Sequence, residues 1–131
     1  MSPTKWFAAH VIMYVKFKKH RQTRYPLWEN VILIKARSDE DAFEKAVKCG
    51  REHEGDCSGT FRWGGKPARW VFAGIRQLIT CDNPHKRPSD RSEVTYLELE
   101  VSSKRELKKL VDGEPAMVKM LDMRHEPTHK L

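Results

Sequence analysis

At 131 residues the chain fits one domain, and 39% apolar residues supply a modest core and exclude wholesale disorder. Lys and Arg number 25 against 18 Asp and Glu, for a formal net charge of +7. No stretch approaches the roughly 20 apolar residues of a membrane-spanning helix, so no membrane association is expected. The opening Met-Ser-Pro-Thr-Lys lacks a secretory apolar segment, and Cys49, Cys57 and Cys81 cannot all pair within one chain. Both point to a reducing, cytoplasmic setting.

The first element read from the pattern is a strand over 5–17. Phe7, Ala9, Val11, Met13, Val15 and Phe17 fall on one face at period two, while Trp6, His10, Ile12 and Tyr14 fall on the other. A polar, basic loop runs from Lys18 to Pro26. Trp28–Ala36 reads as a second strand, antiparallel to the first through that loop. Ser38 then announces a helix: it can cap the N-terminus, Asp41 can complete a short-armed capping box, and Asp39, Glu40 and Asp41 suit the positive end of the dipole. Ala42, Phe43, Ala46, Val47 and Gly50 form its inward stripe, which fades near His53–Gly55.

Thr60–Trp63 is read as a short strand, Gly64-Gly65-Lys66-Pro67 as a turn, and Arg69–Thr80 as a longer strand with Gly74 at a bulge. Asp82–Asp90 holds two prolines and reads as a surface loop. Over Glu93–Val101, Thr95, Leu97, Leu99 and Val101 alternate with Tyr96, Glu98 and Glu100, which predicts a strand with one wet face. Ser103-Lys104-Arg105-Glu106 is a capping box for a two-turn helix, with Leu107, Leu110 and Val111 inward and Gly113 as its stop. Ala116–Leu121 reads as a last strand, and 123–131 as a loose tail. The order ββαβββαβ predicts a single α+β domain over 1–131: an antiparallel sheet of five to six strands with both helices on one face.

Several of these residues carry a family resemblance. Trp6-Phe7-Ala8-Ala9, Leu27-Trp28-Glu29, and Leu33-Ile34-Lys35-Ala36 with Ser38, Glu40, Ala42 and Ala46 resemble a bacterial family, the domain of unknown function numbered 4288. Trp70-Val71-Phe72-Ala73-Gly74-Ile75 and Glu93-Val94 extend the resemblance over about residues 5–100. It implies a small bacterial protein, and it brings no catalytic residues and no cofactor. The basic loop Lys16–Arg24 and the cysteines are departures from the family pattern.

Charge is unevenly distributed. Residues 1–37 hold eight basic side chains and a single acid, Glu29, while 38–58 hold three bases and seven acids. Lys16, Lys18, Lys19, Arg21 and Arg24, interleaved with Phe17, His20, Tyr25 and Trp28, could neutralise phosphates while rings stack on bases. Arg62, Arg69 and Arg76 would extend that patch if their strands face the same way. The bland reading is a solvated loop whose lysines discourage edge pairing, and no recognition helix or RNA-binding signature accompanies it.

Cys49, His53 and Cys57 form C-x3-H-x3-C, and Cys81 with His85 adds C-x3-H. Positions 49 and 53 share a helical face, so two segments could supply a tetrahedral metal, although the C-x2-C knuckles of common zinc modules are missing. His125-Glu126-Pro127-Thr128-His129 has the letters of a zinc peptidase motif, but Pro127 disfavours the helix that motif needs. Four tryptophans are many for this length. Most belong in the core, and Trp63, beside the Gly64-Gly65 turn and Arg62, is expected to be the exposed one and an anchor for a protein partner. No nucleophile elbow, phosphate loop or paired-carboxylate pattern is present, and His10 within a strand is more often a satisfied sheet histidine than a general base. The sequence therefore predicts a non-catalytic interaction module that binds a protein partner or a second copy of itself (inhibitor-like or immunity-like). Nucleic-acid binding through the basic loop, and a Cys/His metal domain, are the alternatives.

Overall fold

The computed structural model describes residues 3–121; the expected loose tail and the His125–His129 motif lie outside the described residues. The chain divides into two compact units, whose described residues are 3–95 and 96–121.

The first unit is a four-stranded antiparallel sheet with one helix on it. Its strands are β1 (Lys5–Phe17), β2 (Leu27–Ala36), β3 (Arg62–Trp63) and β4 (Lys66–Thr80), in the order β2-β1-β4-β3. The helix α1 spans Asp39–Glu52. β1 is central, pairing with β2 from Lys5 opposite Ala36 to Tyr14 opposite Leu27, and with β4 on its other side. Its odd residues behave as the period-two pattern predicts. Phe7, Ala9, Val11 and Met13 join Ile34 and Ala36 of β2, Ile75 and Leu78 of β4, and Ala42 and Ala46 of α1 in one buried core.

Ser38 caps α1 as expected, accepting the N–H of Asp41 through Oγ at 3.1 Å. The other half of the capping box is displaced by one residue, since Asp41 Oδ2 receives the N–H of Arg37 at 3.4 Å. The buried stripe of α1 is small: Ala42, Ala46 and Gly50. That lets the helix approach the sheet so closely that a Cβ on Gly50 would lie 2.5 Å from Phe72 Cε1.

β4 carries two bulges against β1. The register passes from His10 opposite Gln77 to Val11 opposite Ile75, leaving Arg76 as an extra residue. It shifts again between Ile12 opposite Gly74 and Met13 opposite Phe72, leaving Ala73 extra. Gly74 has φ +153°, so the second bulge lies where the sequence placed it.

In the second unit, β5 (Leu99–Glu100) and β6 (Lys119–Met120) form a two-stranded antiparallel hairpin around α2 (Lys104–Val111). Ser103 caps α2 by accepting the N–H of Glu106, and Gly113, at φ +76°, ends it. The fold is α+β with six strands in the predicted order, divided into a sheet of four and a hairpin of two. Two expectations are corrected. The strand predicted over Glu93–Val101 shrinks to Leu99–Glu100, because 93–95 are fastened by side chains rather than by a ladder: Cys81 Sγ donates to Val94 O, and the Thr95 hydroxyl bonds His10. Leu107, Leu110 and Val111 are exposed rather than inward, since a two-turn helix and a four-residue hairpin are too little material to enclose them.

Candidate interaction surface

α1 covers one face of the sheet. On the other, cross-strand pairing aligns His10 with Val31 and Gln77, Ile12 with Glu29, and Tyr14 with Leu27. A polar cluster lies at the centre of this second face. His10, 1% exposed, places Nδ1 2.5 Å from Glu29 Oε2 and Nε2 2.5 Å from Thr95 Oγ1. A carboxylate only accepts, so Nδ1 donates to Glu29, while Nε2 meets the Thr95 hydroxyl and has the Gln77 amide nitrogen at 3.1 Å. Arg76 grips Glu29 through Nε and Nη2, each at 2.7 Å. The bulge makes this possible: strict alternation from Gln77 would turn Arg76 toward the core, and the extra residue re-aims it onto the second face.

Burial pushes the Glu29 carboxyl up, but hydrogen bonds from Arg76 and His10, reinforced by their charge, outweigh it and hold the group below its usual value. Hydroxyl, imidazole and carboxylate in a row share the connectivity of a nucleophile, its base and the group that orients the base. Here Arg76 neutralises the carboxylate that would stabilise an imidazolium, and Gln77 competes for Nε2. The cluster is suited to fastening Thr95 to the sheet rather than activating it.

Around the cluster the second face is apolar and open. Leu27, Val31 and Leu33 of β2 are 54%, 46% and 44% exposed. A depression of about 370 Å³ is lined by Ile12, Tyr14, Tyr25, Leu27 and Ala73. β2 is also an outer strand of the sheet. Pro26 O accepts from Val15 N, so the even-numbered residues of β2 direct their backbone groups toward β1. The odd-numbered residues Leu27, Glu29, Val31, Leu33 and Lys35 direct theirs outward. Lys45 of α1 donates to the Lys35 carbonyl at 2.8 Å and closes that end of the edge.

The residues singled out in the sequence are dispersed. Arg62 is exposed, but Trp63 is only half-buried, meeting Trp70 edge-on with ring centroids 6.0 Å apart. The exposed tryptophan is Trp28, at 53%, whose ring packs 4.8 Å from that of Trp70. Lys16, Lys18, Lys19, Arg21, Arg24 and Tyr25 are all exposed. Lys18 is engaged by Asp56 at 2.5 Å, and this bond with the Gly59 N–H holds the Asp56 carboxyl below its usual range. Arg69 lies opposite Lys16 on the neighbouring strand and extends the basic group, whereas Arg76 is engaged by Glu29.

Cys49 Sγ and His53 Nδ1 approach to 3.8 Å, but Cys57 is exposed in a turn at φ +54°. Cys81 is buried, with its thiol pushed up by desolvation, and His85 Nδ1 lies 3.2 Å from Thr4 O. Among the described residues, no three His, Cys, Asp or Glu side chains come together as metal ligands. None of the described helices is long and apolar enough to cross a membrane.

The Glu29–Arg76–Thr95 fastening and the open β2 edge were both missed in the sequence. One signal was available for the first: Glu29 is the single acid of residues 1–37 and sits inside an apolar strand.

A family model described as a domain of unknown function, DUF4288, matches residues 6–95, more than half of the chain. The chain belongs to the DUF4288 family. The matched span ends where the first compact unit ends, at Thr95, so the DUF4288 domain here is the four-stranded sheet, α1 and the residues fastened by His10. No curated protein and no solved structure matches the chain.

Proposed function

We infer that this DUF4288 chain is a non-catalytic interaction module of the bacterial cytoplasm, and that it binds protein through the β2 edge and the apolar face behind it. The observation that carries this reading is the outward row of backbone groups on β2, flanked by exposed Leu27, Val31 and Leu33. Such an edge offers main-chain hydrogen bonds for affinity and alternate side chains for selectivity. The family resemblance supports a bacterial source, and three unpaired cysteines suit a reducing compartment. The test is cross-linked capture from the native host with the wild-type chain and with Val31→Pro, which removes one outward N–H and leaves the β1 ladder intact. A protein captured by the wild-type and lost with Val31→Pro is expected; identical capture by both would refute the reading.

A second reading rests on exposed Tyr25, close in sequence to the exposed cations Lys16, Lys19, Arg21 and Arg24. Single-stranded nucleic acid would lay phosphates on these cations and a base on the ring. If so, affinity for a labelled oligonucleotide falls steeply with salt, and reversing Lys19, Arg21 and Arg24 to Glu flattens the slope. A salt-independent signal would eliminate it.

A further inference from the structure

We propose that the occupant of the β2 edge is a second copy of this chain, paired antiparallel about a two-fold axis through Asn30, so that the two four-stranded sheets become one of eight strands. This rests on the interaction reading above and specifies its partner and register.

The pattern of the edge leads to that register. A ladder bond needs both residues to present outward groups, so only the odd-numbered residues of β2 can pair with odd-numbered residues of the copy. Pro26, whose carbonyl is taken by Val15, bounds the open stretch at one end, and the Lys45 ammonium on the Lys35 carbonyl bounds it at the other. Leu27, Glu29, Val31 and Leu33 remain. With the axis through Asn30, Leu27 lies opposite Leu33 of the copy and Glu29 opposite its Val31, and the same pairs repeat across the axis. Every open group is then used and none is required from Lys35.

Neighbouring registers are worse for physical reasons. Moving the axis to Glu29 sets two carboxylates directly opposite each other. Moving it to Val31 sets Leu27 against Lys35, whose carbonyl is already occupied.

Charge permits self-association although the chain as a whole is +7. Within 27–33 the single ionised side chain is Glu29, and its own Arg76 and His10 compensate it. In the proposed register Glu29 faces Val31, so no like charges meet. Leu27, Val31 and Leu33, together about half exposed, would form one apolar strip with their symmetry mates. An isologous interface requires a self-complementary patch, and an antiparallel strand edge meets that requirement through its backbone alone.

The test uses the full-length chain, expressed in an unrelated host and purified. Sedimentation velocity from about 1 to 100 μM, a span that brackets typical specific dimers, should show a species of twice the chain mass. Val31→Pro removes one outward donor from each copy and should weaken dimerisation roughly 10- to 30-fold. Val31→Glu, which leaves the β1 ladder untouched, sets a carboxylate against Glu29 of the copy, so it should weaken dimerisation as well and guards against misfolding by proline; circular dichroism of both should match the wild-type.

In a Cys49→Ser, Cys57→Ser background, Asn30→Cys lies opposite its own copy at a non-hydrogen-bonded pair, where Cβ atoms come close enough for a disulfide. Mild oxidation should give a covalent dimer. A chain monomeric across the whole range overturns the proposal, as does a dimer that resists both Val31 variants and fails to cross-link at position 30.

The native-host capture separates the two levels. A monomer that captures another protein in a Val31-dependent way removes the second copy and keeps the interaction reading; a monomer whose capture ignores Val31 removes both.

Discussion

Glu29 shows how much can depend on one side chain in this molecule. It lies between Leu27 and Val31 on its strand face, and its carboxylate collects Arg76 and His10, whose far nitrogen holds Thr95. Its folded-state carboxyl sits below its usual value of 4.5, so the unfolded chain binds the proton more readily. The stabilisation is therefore fully present above the unfolded value and is lost as pH falls through the folded one. Denaturant titrations at a series of pH values should show stability declining below about 4.5, with Glu29→Gln flattening that decline. The same variant should cost about 1–3 kcal/mol at neutral pH, because Arg76 and His10 lose a charged partner in a desolvated place. An unchanged acid limb in Glu29→Gln would show that other carboxylates govern it.

At the scale of elements, the small stripe of α1 decides how the helix meets the sheet. In an exposed helix, Gly to Ala would stabilise by roughly 1 kcal/mol. At Gly50 the added methyl meets the Phe72 ring, so Gly50→Ala should instead destabilise by about 1–3 kcal/mol, read from a lowered denaturation midpoint. The alternating pattern of β1 and the capping signal of Ser38 were legible because both are local. The pattern over 93–101 was equally regular but gave only two strand residues, since alternation records which side chains could share a face and not whether a neighbouring backbone is there to pair with. Arg76 illustrates the converse. Its sequence position argues for the core, and only an unpaired extra residue in the ladder turns it outward.

For the whole molecule, the family span and the first compact unit coincide at Thr95. All members of the buried core lie between Phe7 and Leu78. A chain ending at Thr95 should therefore fold on its own with a single cooperative thermal transition, checked by circular dichroism and dispersed amide resonances. Loss of that transition would mean that residues beyond 95 are needed for the core.

The sequence by itself determined the class of fold, the order of its elements, the core face of β1, both helix caps and the Gly74 bulge. Each of these depends on contacts within a few residues or on a period of two or 3.6, which a linear chain records directly. Tertiary structure decided the rest. Trp63 is screened by Trp70 while Trp28 stands exposed, the cysteines and histidines stay dispersed, and Lys45 closes one end of the β2 edge by bonding the carbonyl of Lys35, ten residues earlier in the chain. His10, Glu29, Arg76 and Thr95 meet across separations of 19 to 85 residues. Which groups share a neutralising partner, and which strand is left at the edge, depends on pairing between distant segments, and no local pattern encodes it.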